Sequence, residues 1–510
     1  MKKLRNYVKW WPYLVGYIMF AVFFKVTPIF FDMWVEKTDY IVRGCSFAGV
    51  LKAVFFTGGC WKNARYLANV INIYVVSYEW MFDFLIPLVF VGSMLLMQRL
   101  MGAQRVWPII LMGVGLLFDV SDGIIGQVYS YSYVLFLLPI LFCVCIIYCL
   151  EAYMADETFL KPIYRKVLFC ILIYLNACFL ENVSCAFTVT LAGYYFKEKF
   201  ILKRKGTFLL GGCILSTVQT LYMNLYLIIL KTRPLSEDNV GLFERIIRNG
   251  RLLLIETWIY NVEIVCVFLI AVCTALLVKK DISAIKKKIL LLSNVSLLIL
   301  YVLYICLIYI PNGLEGISTS IGNDFYVTFL PFSYRGIQTF VFIASNLYIL
   351  YVIYLLDAKL AVLFWMGGCS LIPILITPNT GWRISSFYVF MMIYVSIGLL
   401  MKVAKEESRS KNIFIMVLSL IIFVGASFGY IERINRIISV SGEIEVRVED
   451  VKRSQEEGKW DLQNDILYLP PFDSRDILYG GRPDLNEYYM WNYCIANGLE
   501  KETKILSIVE

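Results

Sequence analysis

The chain of 510 residues contains no histidine. That absence removes Ser-His-Asp and Cys-His catalysis, HExxH zinc chemistry and every imidazole base, so acid–base work falls to Asp or Glu ahead of the rarer Lys and Tyr bases. Charge is scarce too. Asp, Glu, Lys and Arg make up 17% of the residues against 59% hydrophobic ones, and the mean hydropathy of +0.70 excludes a soluble globular protein. The fourteen cysteines include no Cys-x-x-Cys pair, which argues against a structural zinc site. Most of them, Cys143, Cys145, Cys149, Cys170, Cys266, Cys273 and Cys306 among them, sit inside apolar runs as small hydrophobes. Only Cys45 and Cys60 share one external loop, where a disulfide could form. No Walker motif and no glycine-rich phosphate loop in strand context is present, so nucleotide use is not supported. Internal repeats of the kind that build many secondary transporters are not visible either.

What fills the chain instead is about thirteen apolar runs, near 11–31, 80–98, 106–118, 133–150, 167–180, 183–196, 207–230, 252–278, 289–310, 339–356, 360–377, 384–400 and 413–429. A helix needs ~20 apolar residues to cross ~30 Å of hydrocarbon, so the three shortest runs are the weakest crossings. Basic residues fall in every second connection. With the N-terminus inside, the cytoplasmic connections carry about 24 Lys and Arg and the short external ones about 7, which is the positive-inside bias. The basic clusters are Lys2-Lys3-Arg5, Lys197 to Lys205, Lys279 to Lys288 and Lys402 to Lys411. The first run follows a basic stretch but is too long for a cleaved signal peptide and reads as a retained anchor. The formal charge of +8 is that of loops facing anionic lipid and does not call for nucleic acid. The expected architecture is an all-α polytopic membrane domain over residues 1–429, N-terminus cytoplasmic, with an extracytoplasmic segment over 430–510.

The external connections are the elaborate ones: 32–79, 231–251, 311–338 and the C-terminal segment. Within 32–79, residues 46–56 and 66–76 read as amphipathic interfacial helices, with Trp61, Tyr66, Tyr74, Tyr78 and Trp80 at headgroup depth. After the charged stretch Glu443 to Lys459, Ile466 to Pro471 reads as a strand stopped by proline and Tyr488 to Asn497 as a helix, giving a small α/β appendage.

Ionisable groups beside apolar runs are costly and are functional candidates. Asp32, Glu36 and Asp39 follow the first crossing; a carboxylate at the water–lipid boundary makes a better base, and the plain alternative is a solvated loop. Glu181-Asn182 occupies a tight turn between two runs and must find a partner or a water-filled cavity. Glu256, Tyr260 and Glu263 fall at i, i+4 and i+7, which on one helix directs them to one face, and Asp83 lies one turn after Glu79; both sets could equally be charge networks that lock helices together. Against these acids stand external arginines, Arg65, Arg245, Arg248, Arg251, Arg335 and Arg383. Arginine there runs against the positive-inside trend, and bidentate contact with phosphate is a physical reason for it, whether in a substrate or in ordinary phospholipid headgroups.

Several segments together carry a resemblance. Trp61-Lys62-Asn63-Ala64-Arg65-Tyr66-Leu67-Ala68-Asn69 resembles the W-N-G-R-Y-L-x-N signature of a largely uncharacterised bacterial family of polytopic membrane proteins, itself similar to C-type (GT-C) glycosyltransferases. Thr38-Asp39-Tyr40 approximates the acidic pair plus aromatic that precedes the signature in that family. Gly126 to Tyr133, Glu181-Asn182, Gly381-Trp382-Arg383, Ile466 to Pro471 and Tyr488 to Gly498 resemble further elements in the same order. The resemblance implies a GT-C-like fold of about thirteen transmembrane helices in the bacterial cytoplasmic membrane. It also implies transfer of a sugar from a polyprenyl-phosphate carrier to a cell-envelope glycan or glycolipid outside the bilayer.

Carried onto this chain, the resemblance makes Asp39 the base on the acceptor hydroxyl with Asp32 in reserve. Asn63, Arg65, Arg248, Arg335 and Arg383 become substrate contacts, with Glu181 and Asn182 lining the cavity. No cofactor is certain. The family's acidic pair would suit a divalent metal, but here Thr38 replaces one acid and Ala64 the signature glycine, which leaves a single base and permits an inactive copy. Competing readings are a polymerase of lipid-linked glycans, a transporter or flippase of the same molecules, and a scaffold.

Overall fold

The computed structural model describes residues 10–27, 46, 48–50, 66–104, 106–121, 124, 133–229, 241–306, 332–376, 382–406, 409–457, 466–469 and 504–507. Over its described residues each apolar run is largely helix. The helices are α1 (Trp11–Val26), α2 (Tyr66–Ser77), α3 (Glu79–Met101), α4 (Trp107–Phe118), α5 (Tyr133–Ala155), α6 (Ile163–Ala177), α7 (Glu181–Phe196), α8 (Thr207–Ile229), α9 (Leu242–Thr257), α10 (Val262–Val278), α11 (Ala284–Tyr304), α12 (Phe332–Leu356), α13 (Ala358–Ile376), α14 (Trp382–Glu406) and α15 (Arg409–Glu456). Eight helical segments among the described residues are long and apolar enough to cross a membrane, and the protein is an all-α polytopic membrane protein. The expected helix near 66–76 is present as α2. The expected strand is present as β1 (Ile466–Leu469), and it pairs in parallel with a strand the sequence did not suggest, β2 (Lys504–Ser507).

Burial sorts the helices by position. Every residue of α14 from Ser385 to Met401 is buried, so α14 stands at the centre, against α10 and α13. α4 is buried from Pro108 to Phe118 between α1, α14 and α15. At about 18 Å its twelve residues fall short of the hydrocarbon thickness. Apolar side chains stay exposed on outer faces, such as Val167, Leu168 and Ile171 of α6 and Phe414, Val417, Ile421, Val424 and Phe428 of α15, where lipid replaces water as the solvent.

Two features depart from the sequence reading. The run over 252–278 is not one helix, because a short 3-10 turn at Ile259–Asn261 separates α9 from α10. And α15 continues without a break across residue 429, apolar and outward-facing as far as Phe428, with Glu432, Arg433 and Arg436 among isoleucines up to Ile438, then charged to Glu456.

The bundle has two polar ends. At one, the Lys402 ammonium meets Asp357 at 2.8 Å and the Leu356 carbonyl at 2.7 Å, while Lys359 and Lys405 reach the carbonyls of Leu100 and Met101. Long cationic side chains thereby satisfy carbonyls left over at helix ends. Thr339, Ile374 and Ser385 each lie seventeen or eighteen residues along their helices from Asp357 or Lys402, about 26 Å at the helical rise. They therefore share one level near the other membrane boundary, and α9 packs there.

Candidate functional site

α9 is strongly amphipathic, with Arg245, Arg248, Asn249, Arg251 and Glu256 interleaved with Ile247 and Leu253. Such a helix cannot sit in lipid with its polar face outward; here that face is turned toward α12, α13 and α14. Gly250 permits the approach. A Cβ at this position would stand 2.3 Å from Thr339 Cγ2, and the Thr339 hydroxyl donates to the Ile247 carbonyl at 2.8 Å.

Side chains of the polar face close the ends of neighbouring helices. Asn249 is fully buried, and its amide donates to the carbonyls of Ile374 at 2.9 Å and Leu375 at 3.2 Å, in the last turn of α13 where no intrahelical partner remains. Asn182, in the first turn of α7, donates to the Ser370 carbonyl at 3.3 Å, one turn further into α13. Glu256 is buried and accepts from the Ser385 hydroxyl at the start of α14. The 3-10 turn after α9 has its own caps. Asn261 donates to the carbonyls of Glu256 at 2.8 Å and Thr257 at 3.4 Å, and Tyr301 donates to Trp258 at 2.6 Å. These bonds explain a break that contains neither Gly nor Pro.

The arginines split by depth. Arg245 is buried, whereas Arg248 and Arg251 are half-buried, with the Arg248 Nε pointing to the Asn249 side-chain amide oxygen, Oδ1, at 3.4 Å. Arg335 lies in the first turn of α12 and Arg383 in the first turn of α14, so both positions fall beside the same level; their side chains lie outside the described residues. Glu181 opens α7 at this end. Asp32, Asp39, Asn63 and Arg65 lie outside the described residues, as do Cys45, Cys60 and the expected helix over 488–497.

Glu256, Tyr260 and Glu263 do not share a face. The turn at Ile259–Asn261 rotates α10 away from α9, leaving Glu256 buried and Glu263 exposed. Glu263 instead belongs with Asp119, which closes α4 just beyond its apolar segment. Asp119 lies within electrostatic reach of both Glu263 and Arg433. Arg433 also donates to the Phe118 carbonyl. Asp83 pairs with Lys25 of α1 at 3.4 Å, an ion pair between the first two long helices of the kind expected of a helix lock. Among the described residues no group of three or more Cys, Asp or Glu is placed to hold a metal ion.

Asn249, Asn261 and Ser385 carry much of this geometry, and the sequence reading did not single them out. A buried asparagine in an amphipathic helix was the available signal for Asn249. Comparison with protein families, characterised proteins and solved structures returned no match.

Proposed function

We propose that the protein is a membrane glycosyltransferase that moves a sugar from a polyprenyl-phosphate donor to a cell-envelope glycan or glycolipid on the external face of the bacterial cytoplasmic membrane. The observation that carries this reading is the placement of Arg245, Arg248 and Arg251 on one amphipathic helix at the level of a membrane boundary, packed against α12, α13 and α14. A lipid-linked phosphate lies at that depth. Guanidinium groups hold a phosphate bidentately, and fixed cations stabilise the charge that grows on it as the glycosidic bond to phosphate breaks.

In this reading Arg248, Arg335 and Arg383 face the phosphate or sugar, Arg65 and Asn63 approach from the first external loop, and Glu181 and Asn182 line the cavity. Asp39, with Asp32 in reserve, takes the proton from the acceptor hydroxyl as that oxygen attacks the anomeric carbon and the carrier phosphate leaves. The single acid that remains of the family's pair is enough for this step without a metal.

The broken segment at Ile259–Asn261 favours a second reading, transport of a lipid-linked glycan, because transporters use discontinuous helices at their sites. The break stands near a membrane boundary rather than at mid-depth, which favours the transferase.

The test compares surface glycans of wild type, a deletion strain, Asp39→Asn and Arg248→Gln at matched protein level. Loss of one sugar in all three altered strains is expected. Intact repeats with collapsed chain length would replace this reading with the polymerase. Complete lipid-linked glycan trapped on the inner leaflet would replace it with the flippase.

A further inference from the structure

The opposite end of α7 presents an unusual surface. The α-helix passes into a π-turn, Lys197–Ile201, and the chain then reverses through two left-handed residues, Lys203 at φ 52° and Gly206 at φ 63°. Extra-residue turns of this sort persist where the surroundings hold them, often at functional positions.

What holds this one is the burial of its only acid. Glu198 is 1% exposed, and its Oε1 accepts from the Tyr153 hydroxyl at 2.5 Å. Its other oxygen would lie 3.4 Å from any Cβ at position 206, so glycine there serves both the backbone and the packing. Arg204 is likewise turned inward, paired with Glu157 at 2.6 Å and donating to the Met154 carbonyl at 3.2 Å.

With Glu198 buried and Arg204 engaged by Glu157, what residues 197–205 themselves leave outside is cationic and apolar, while the exposed carboxylates of Asp156 and Glu157 stand beside them. Lys199, Lys203 and Lys205 are exposed, and between them Phe200, Ile201 and Leu202 are 63%, 73% and 36% exposed. In water such a surface would be costly. Against a bilayer, apolar side chains enter the acyl boundary while ammonium groups meet lipid phosphates. The depth is right: Phe196 lies fourteen residues from Asn182, about 21 Å along α7, so the turn emerges at the boundary opposite the arginine helix.

We propose that the π-turn and the following loop, residues 197–205, form a binding site for anionic phospholipid in the leaflet at this end of the bundle. Lys199, Lys203 and Lys205 hold the headgroup phosphate, and Phe200 and Ile201 insert beside the acyl chains. The site is independent of the chemistry at the other boundary, and the charge complementarity selects anionic over zwitterionic lipid.

The test uses the full chain in nanodiscs of equimolar phosphatidylcholine and phosphatidylglycerol, with native mass spectrometry reading the lipid that stays bound. Wild type is expected to retain phosphatidylglycerol preferentially. K199Q/K203Q/K205Q should weaken that preference by up to roughly a hundredfold, about fivefold for each lysine removed from an anionic surface. K280Q/K286Q/K288Q removes the same charge from another exposed cluster and should leave it intact. Phe200→Ser keeps every charge and should also lower retention, which covers the case in which the triple variant fails to fold. Equal losses in the two triple variants would overturn the proposal in favour of a diffuse basic field, and so would a wild type with no preference.

Discussion

The side-chain amide of Asn249 closes the end of a helix more than a hundred residues away, donating to the Ile374 carbonyl at 2.9 Å. A carbonyl buried at a helix end without water is expensive to leave unpaired. One asparagine therefore ties the arginine-bearing helix α9 to α13.

Asn249→Leu should lower stability by about 1–3 kcal/mol, the cost of leaving buried carbonyls unsatisfied. Asn249→Asp, nearly the same shape, replaces the donor by an acceptor and should not restore it. Thermal unfolding in detergent measures both; an Asp variant as stable as wild type would mean that the amide does not make this bond.

Gly250→Ala places a methyl against Thr339 Cγ2, where the gap is 2.3 Å. A loss of about 1–3 kcal/mol is expected from overpacking. Thr339→Ser removes the clashing methyl yet keeps the hydroxyl that donates to Ile247, so the double variant should recover most of the loss. The same unfolding assay reads the coupling, and strictly additive effects would refute the contact.

Lys402 and Asp357 join α14 to the α12–α13 corner, and both side chains are largely shielded, at 20% and 14% exposure. Asp357→Asn should cost about 1–3 kcal/mol by leaving the ammonium without its counter-charge, a range lowered for the remaining solvent contact. Adding Lys402→Met should return part of the loss. A double variant worse than the sum of its parts would indicate that Lys402 acts mainly through the Leu356 carbonyl.

Much of this was legible in the chain itself. The positions of the apolar runs follow from composition, because a segment rich in Leu, Ile, Val and Phe can satisfy its backbone in lipid only as helix. Strand β1 and helix α2 were legible for local reasons, a proline stop for one and an amphipathic pattern for the other. The importance of acids and arginines near run ends was also visible, since charge beside hydrocarbon needs a reason. Periodicity failed at Glu256 and Glu263, because it assumes a continuous helix and the turn between them is held by Asn261 and Tyr301 from outside the local pattern.

By itself, then, the sequence determined that this is a helical membrane protein with its basic residues in alternate connections, because partitioning into lipid depends on residue type and run length alone. Tertiary structure decided which polar groups meet. Asn249 with Ile374, Gly250 with Thr339, and the burial of Glu198 beneath a cationic loop all join residues whose pairing depends on how helices pack, and no local propensity encodes that.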